Sequence, residues 1–188
     1  MTEKLPLEAT VTSEQHFQCE QQGALFESAF DAKYDMNVFV PTFMHSQAAA
    51  GLDADFDHYQ WMGPAYILED VSARYGIGPV RTPNGEIGEP TDAADREACY
   101  WMGYTYRWWH YYTGQSSREI YACADYDTMS RCYPGYHTLS CTMAIDRLME
   151  DLPDPGPQST WGGVEEFEKH IKQNREFRLI RNDKISRP

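Results

Sequence analysis

Large apolar residues recur along this chain at the three-to-four-residue spacing of helices, and seldom at the alternate spacing of strands. Phe17, Leu25, Phe26 and Phe30 mark a first helix that Ser13 could cap, although Gly23 counts against it. From Asn37 to Gly51 a second helix is expected, with Asn37 as cap, Pro41 in its first turn and Gly51 as its stop. Phe39, Phe43, Met44, Gln47 and Ala48 share one face of it, and the run Ala48 to Ala50 would let another helix approach closely.

An acidic loop, Leu52 to Asp57, leads to residues 58–75, where Gly63-Pro64 separates a short turn from a helix carrying Ile67, Leu68, Val71 and Tyr75. Residues 76–89 are rich in Gly and Pro and read as an exposed, mobile connection. Asp92 or Asp95 can then open a helix that runs to Thr113-Gly114. It holds Tyr100, Trp101, Tyr104, Tyr106, Trp108, Trp109, Tyr111 and Tyr112, so apolar surface covers most of its circumference, as in a central buried helix. Gly103 interrupts that series and marks a helix crossing, for which the Ala48 to Ala50 face is the expected partner.

Ser116 and Glu119 have the spacing of a capping box that starts a new helix. Asp125 to Tyr133 forms a short segment ended by Pro134-Gly135, and Ser140 can cap an amphipathic helix with Met143, Ile145, Leu148 and Met149. The prolines from Pro153 to Pro157 stop it. Beyond them, Glu165 to Lys172 could form a marginal helix, Phe177 to Ile180 is a short strand signal, and Lys172 to Arg187 is basic. The expected fold is mainly α: a single-domain helical bundle around a central aromatic helix at about residues 92–113, with a flexible lead-in (1–13), a helical domain (14–152) and a polar tail (153–188).

At 188 residues the chain can bury a sizeable core without staples. Its formal net charge of -13 disfavours direct binding to nucleic acid, whose phosphates are met by Lys and Arg, and favours a basic protein partner. The five cysteines include no C-x-x-C pair and read as reduced, mostly buried thiols. No apolar run reaches the length of a membrane span and the first residues lack a secretory pattern, so a cytoplasmic protein is expected.

Candidate chemistry is sparse. Asp53, Asp55 and Asp57 alternate as ligands of a hard cation would, but His58 and Pro64 stand where an EF-hand requires Gly and Glu. They read as a solvated acidic loop able to meet a partner, and no metal or cofactor is expected. Arg107 and His110 lie at i and i+3 among aromatic rings. Helical-bundle nucleases separate such a pair by four to six residues, whereas only Trp108 and Trp109 intervene here, so those catalytic roles do not transfer. The simpler expectation is an Arg whose stem packs on rings and whose head pairs with a buried acid, Glu69 or Asp70.

Four blocks, 43–53, 60–69, 100–114 and 116–121, resemble small acidic helical proteins of bacterial genomes that often sit beside toxin genes and are regarded as antitoxins. No functional residue is assigned within those blocks. Together with the acidic charge and the missing catalytic signature, the resemblance implies a cytoplasmic interaction protein of antitoxin or immunity type, neutralising a basic toxin by direct binding. The exposed candidates for contact, read from the chain itself, are Asp53, Asp55 and Asp57, the 77–89 segment and the basic tail. The competing expectation is a helical enzyme with a pocket of Arg107, His110, Glu69 and Tyr104, acting on a phosphorylated or nucleotide-like small molecule. A third is a nucleic-acid mimic with carboxylates in rows.

Overall fold

The computed structural model describes residues 11–90 and 95–151, and they form eight α-helices with one 3-10 turn. The helices are α1 (Ser13–Asp31), α2 (Met36–Met44), α3 (Gln47–Asp53), α4 (Pro64–Tyr75), α5 (Arg96–Thr113), α6 (Ser117–Cys123), α7 (Tyr126–Tyr136) and α8 (Cys141–Asp151), and the 3-10 turn is His58–Trp61. Among the described residues the only β pairing is two isolated bridges, Tyr34 with Pro79 and Arg81 with Ile87. The fold is therefore an all-α bundle, as the spacing of apolar residues implies.

The central position of α5 is confirmed. Its N-cap is Asp95, whose carboxylate accepts from the amides of Glu97 and Ala98, and Gly114 closes it in the left-handed region at φ 76°. Of the two candidate caps, Asp95 is the one that opens the helix; Asp92 lies outside the described residues. Helices α6, α7 and α8 all pack on α5, but its largest partner is α1.

That interface rests on two glycines. A Cβ on Gly103 would stand 2.5 Å from the Gln22 carbonyl oxygen and 2.9 Å from Phe26 Cγ, and a Cβ on Gly23 would meet the Tyr100 ring at 2.9 Å. Each glycine admits the opposing helix to a distance no larger residue permits. The crossing at Gly103 is thus made by α1, and the expected partner face at Ala48 to Ala50 is not the one used. Gly23 likewise does not weaken α1; it is the counterpart of Gly103. Around this crossing Phe26 meets Phe39, Phe43 and Tyr106 edge-on at 5.5, 5.4 and 6.3 Å, a geometry that ring quadrupoles favour.

Several helix ends fall elsewhere than expected. Thr12, not Ser13, caps α1, in a capping box with Gln15. Asp35, not Asn37, caps α2, which carries Pro41 inside it. The expected 37–51 helix is two: Ser46 accepts from the amide of Ala49 and starts α3, which continues through Gly51 to Asp53. Helix α7 also runs through Pro134 and Gly135 to Tyr136. The Ser116–Glu119 capping box and the Pro64 start and Gly76 end of α4 are as expected.

The 76–89 connection is more organised than expected. Val80 donates to the Lys33 carbonyl at 2.8 Å and Lys33 pairs with Glu89 at 2.9 Å, tying it to the turn after α1. The polar tail, with its marginal helix, basic stretch and strand signal, lies outside the described residues, as do residues 1–10.

Candidate functional site

Arg107 is the residue around which the polar interior is built. It is 1% exposed, and α5 points it to where α1, α3 and α6 meet. Its Nε donates to Gln22 Oε1 at 2.9 Å, Nη1 to the Leu52 carbonyl at 3.0 Å and to Asp53 Oδ1 at 2.8 Å, and Nη2 to Ser117 Oγ at 3.3 Å. Against the five N–H donors of a guanidinium these bonds leave little with which to hold an outside anion. The Tyr111 ring lies 5.9 Å from Cζ.

The acid that pairs with it is Asp53, whose side chain is 13% exposed, and not the expected Glu69 or Asp70. Its Oδ2 accepts from the amide of Ser117 at 2.7 Å and its Oδ1 from the Ser117 hydroxyl at 2.7 Å, in addition to Arg107. Ser117 Oγ thus accepts from Arg107 while donating to Asp53. Gln22 in turn donates to the Gly103 carbonyl at 3.1 Å, so the network reaches back to the glycine crossing. Asp70 pairs with Arg74 and Tyr59, and Glu69 is exposed on α4 and joins none of these contacts.

His110 sits at the edge of the same cluster, with Nδ1 2.7 Å from the Gln115 carbonyl and 3.6 Å from Asp53 Oδ1. A carbonyl only accepts, so Nδ1 carries the proton. Burial and the neighbouring Arg107 charge hold the ring's pKa below the usual histidine value, outweighing the Gln115 bond and Asp53. Tyr104 belongs to a different region: it stacks between Tyr100 and Trp108 at 6.1 and 5.9 Å, with His16 edge-on at 5.7 Å, and burial pushes its hydroxyl well above the usual range. Arg107, His110, Glu69 and Tyr104 therefore do not line one pocket.

The three loop carboxylates also part ways. Asp53 is drawn into the core, Asp55 is exposed, and Asp57 caps the 3-10 turn through the amide of Tyr59 at 3.0 Å. Among the described residues no group of three or more His, Cys, Asp or Glu could hold a metal ion, and no helix is long and apolar enough to cross a membrane.

What the sequence did not disclose is how this loop is presented. Its first carboxylate, Asp53, is fixed by Arg107 and Ser117, its last, Asp57, by the turn it caps, and the Gln60 side chain donates across it to the Ala54 carbonyl. Gln18 of α1 donates to the Gln60 carbonyl at 2.6 Å and braces the turn from behind. On this fixed support Phe56 is 92% and Trp61 81% exposed. Phe56 is the lone aromatic residue of the acidic loop, the one signal that could have singled it out.

Searches against protein families, curated proteins and solved structures find no match to this chain.

Proposed function

We propose that this chain is a cytoplasmic interaction protein of antitoxin or immunity type, which neutralises a basic protein toxin by binding it directly. The observation that carries the reading is the pair Phe56, on a loop braced at both ends, and Trp61, at the end of the turn that follows it, both held almost wholly in solvent. Exposing two large rings keeps apolar surface in water, and such residues are the usual anchors of protein interfaces. The net charge of -13 supplies long-range attraction for a basic partner and repels acidic ones.

The competing enzyme reading needs Arg107 free to clamp an anion and His110 poised to exchange a proton. Arg107 is engaged by four partners and sealed, and Glu69 and Tyr104 lie apart from it. Gel filtration of this chain mixed with the toxic product of a gene adjoining its own provides the test. A shared peak that dissociates as salt is raised is expected, because screening shortens from about 10 Å at 0.1 M to about 3 Å at 1 M. Separate peaks at low salt for every adjoining product would reject the proposal.

A further inference from the structure

Between α3, the 3-10 turn and α4 lies a cleft of about 450 Å³, open to solvent, whose walls include Gln47, Asp57, Tyr59, Tyr66, Asp70 and Arg74. Gly51 makes room for it: a Cβ there would stand 2.7 Å from the Tyr59 ring and 2.8 Å from Asp57 Oδ1. The loop bearing Phe56 runs between two of its lining residues, Ala54 and Asp57, and Trp61 ends the turn that supplies Tyr59.

The charges of the cleft are unbalanced. Arg74 is already committed, donating to Gln47 Oε1 at 2.8 Å and to Asp70 Oδ1 at 3.3 Å. Asp70 also accepts from the Tyr59 hydroxyl at 2.7 Å. Burial pushes the Asp70 carboxyl up, but the bonds from Tyr59 and Arg74 outweigh it and hold it below the usual carboxylate range. Asp57 Oδ1 takes the Tyr59 amide and the His58 ring, both at 3.0 Å, while Oδ2 has no partner among the described residues. Asp55 adds a further carboxylate to the loop above.

A part-exposed carboxylate oxygen with no donor among the described residues, in a water-open cleft that also holds the half-exposed Tyr66 ring, suits a planar cation carried by a larger molecule. A guanidinium meets both requirements, bonding to the carboxylate in its own plane while its faces stack on rings; an ammonium meets only the charge. A drug-sized ligand would be enclosed on most sides, which this open cleft does not do.

We infer that this cleft seats an arginine side chain of a basic protein partner, with its guanidinium on Asp57 Oδ2 and against the exposed Tyr66 ring, while Phe56 and Trp61 cover the flanking chain. The inference rests on the reading that the chain binds a basic protein, and it adds where and through which side chain.

The test is a nuclear magnetic resonance titration of the full chain with a hexa-arginine peptide and with a hexa-lysine peptide at equal low salt. Saturable amide shifts centred on Gly51, Asp57, Tyr59 and Tyr66 are expected, with hexa-arginine the tighter ligand. Tyr66→Ala, a change at a half-exposed position of α4, and Asp57→Asn, which keeps an oxygen to cap the turn, should each weaken hexa-arginine by about tenfold or more. Shifts spread over the acidic surface, equal binding of both peptides, no saturable shift at the cleft, or an unchanged affinity of both variants would overturn the inference. Full toxin neutralisation by Tyr66→Ala would remove the cleft and leave the proposed function standing. Hexa-arginine seated in the cleft of a chain that neutralises nothing would do the reverse.

Discussion

Arg107 and Asp53 are worth more to the fold together than either is alone. A buried ion pair contributes little net stability, but losing one partner strands the other in a dry interior at a cost of about 3–5 kcal/mol. Asp53→Ala should therefore lower the free energy of unfolding by about that amount, read from urea denaturation, because Arg107 is 1% exposed and pairs with no other acid among the described residues. Asp55→Ala, two residues on and exposed, should change it by less than about 0.5 kcal/mol. Equal effects would mean that Asp53 is a loop residue after all. His110 supplies a pH dependence at the same place. Its pKa is depressed in the fold, so the unfolded chain binds the extra proton more readily, and stability that is complete above the ordinary histidine pKa falls as the pH drops below it. Buried His45 adds in the same direction, through desolvation and Arg118 against its Pro41 bond. The melting temperature should fall between pH 7 and pH 5, and His110→Asn should flatten part of that slope; a wild-type melt that does not change with pH would contradict this. The Arg107 pairing was half legible in sequence: an Arg among rings implies a buried acid, but no local pattern says which one. Asp53 is distant in the chain, and it is brought to Arg107 only because α3 ends where α6 begins.

At the scale of elements, the bundle is set by how closely α1 and α5 approach. Gly103→Ala would drive a Cβ against the Gln22 carbonyl, a backbone atom that cannot swing aside. The change should cost about 1–3 kcal/mol or more, even though alanine is the better helix former. Gly135→Ala in α7 is the matched control, since a Cβ there meets nothing within 4 Å. It should be neutral or stabilising by up to about 1 kcal/mol. Parallel thermal melts decide the point, and similar melting temperatures for the two variants would remove the crossing from the account. The presence and type of the helices were legible because apolar spacing and caps act locally, as at Ser116 and Pro64. Gly103 was legible as a crossing but not by its partner. Which helix crosses is decided by matching surfaces, and Gly23 on α1 offers a groove that Ala48 to Ala50 does not. The misplaced boundaries have the same origin: Pro41 and Pro134 remain inside helices because packing outweighs one lost backbone bond.

For the whole molecule, burial and exposure divide the labour. The aromatic helix α5, the most conspicuous stretch of the sequence, is spent on holding the bundle together, and its Arg107 is spent on anchoring a loop. What that anchoring presents to solvent is the acidic turn with Phe56 and Trp61. Sequence could identify the loop as acidic, but not that its first carboxylate is internal or that its ring stands outside, since both depend on contacts from α5, α6 and α1. The central claim is that this turn binds and neutralises a basic toxin. Its most direct measurement is growth of cells expressing each gene that adjoins its own, with any whose product proves toxic paired with this chain, either wild type or carrying Phe56→Ala and Trp61→Ala. Wild type should restore growth, and the double variant should fail to do so while its melting temperature stays within a few degrees of wild type, since neither side chain belongs to the core. A folded double variant that restores growth as fully as wild type, or a wild type that restores none, would contradict the account.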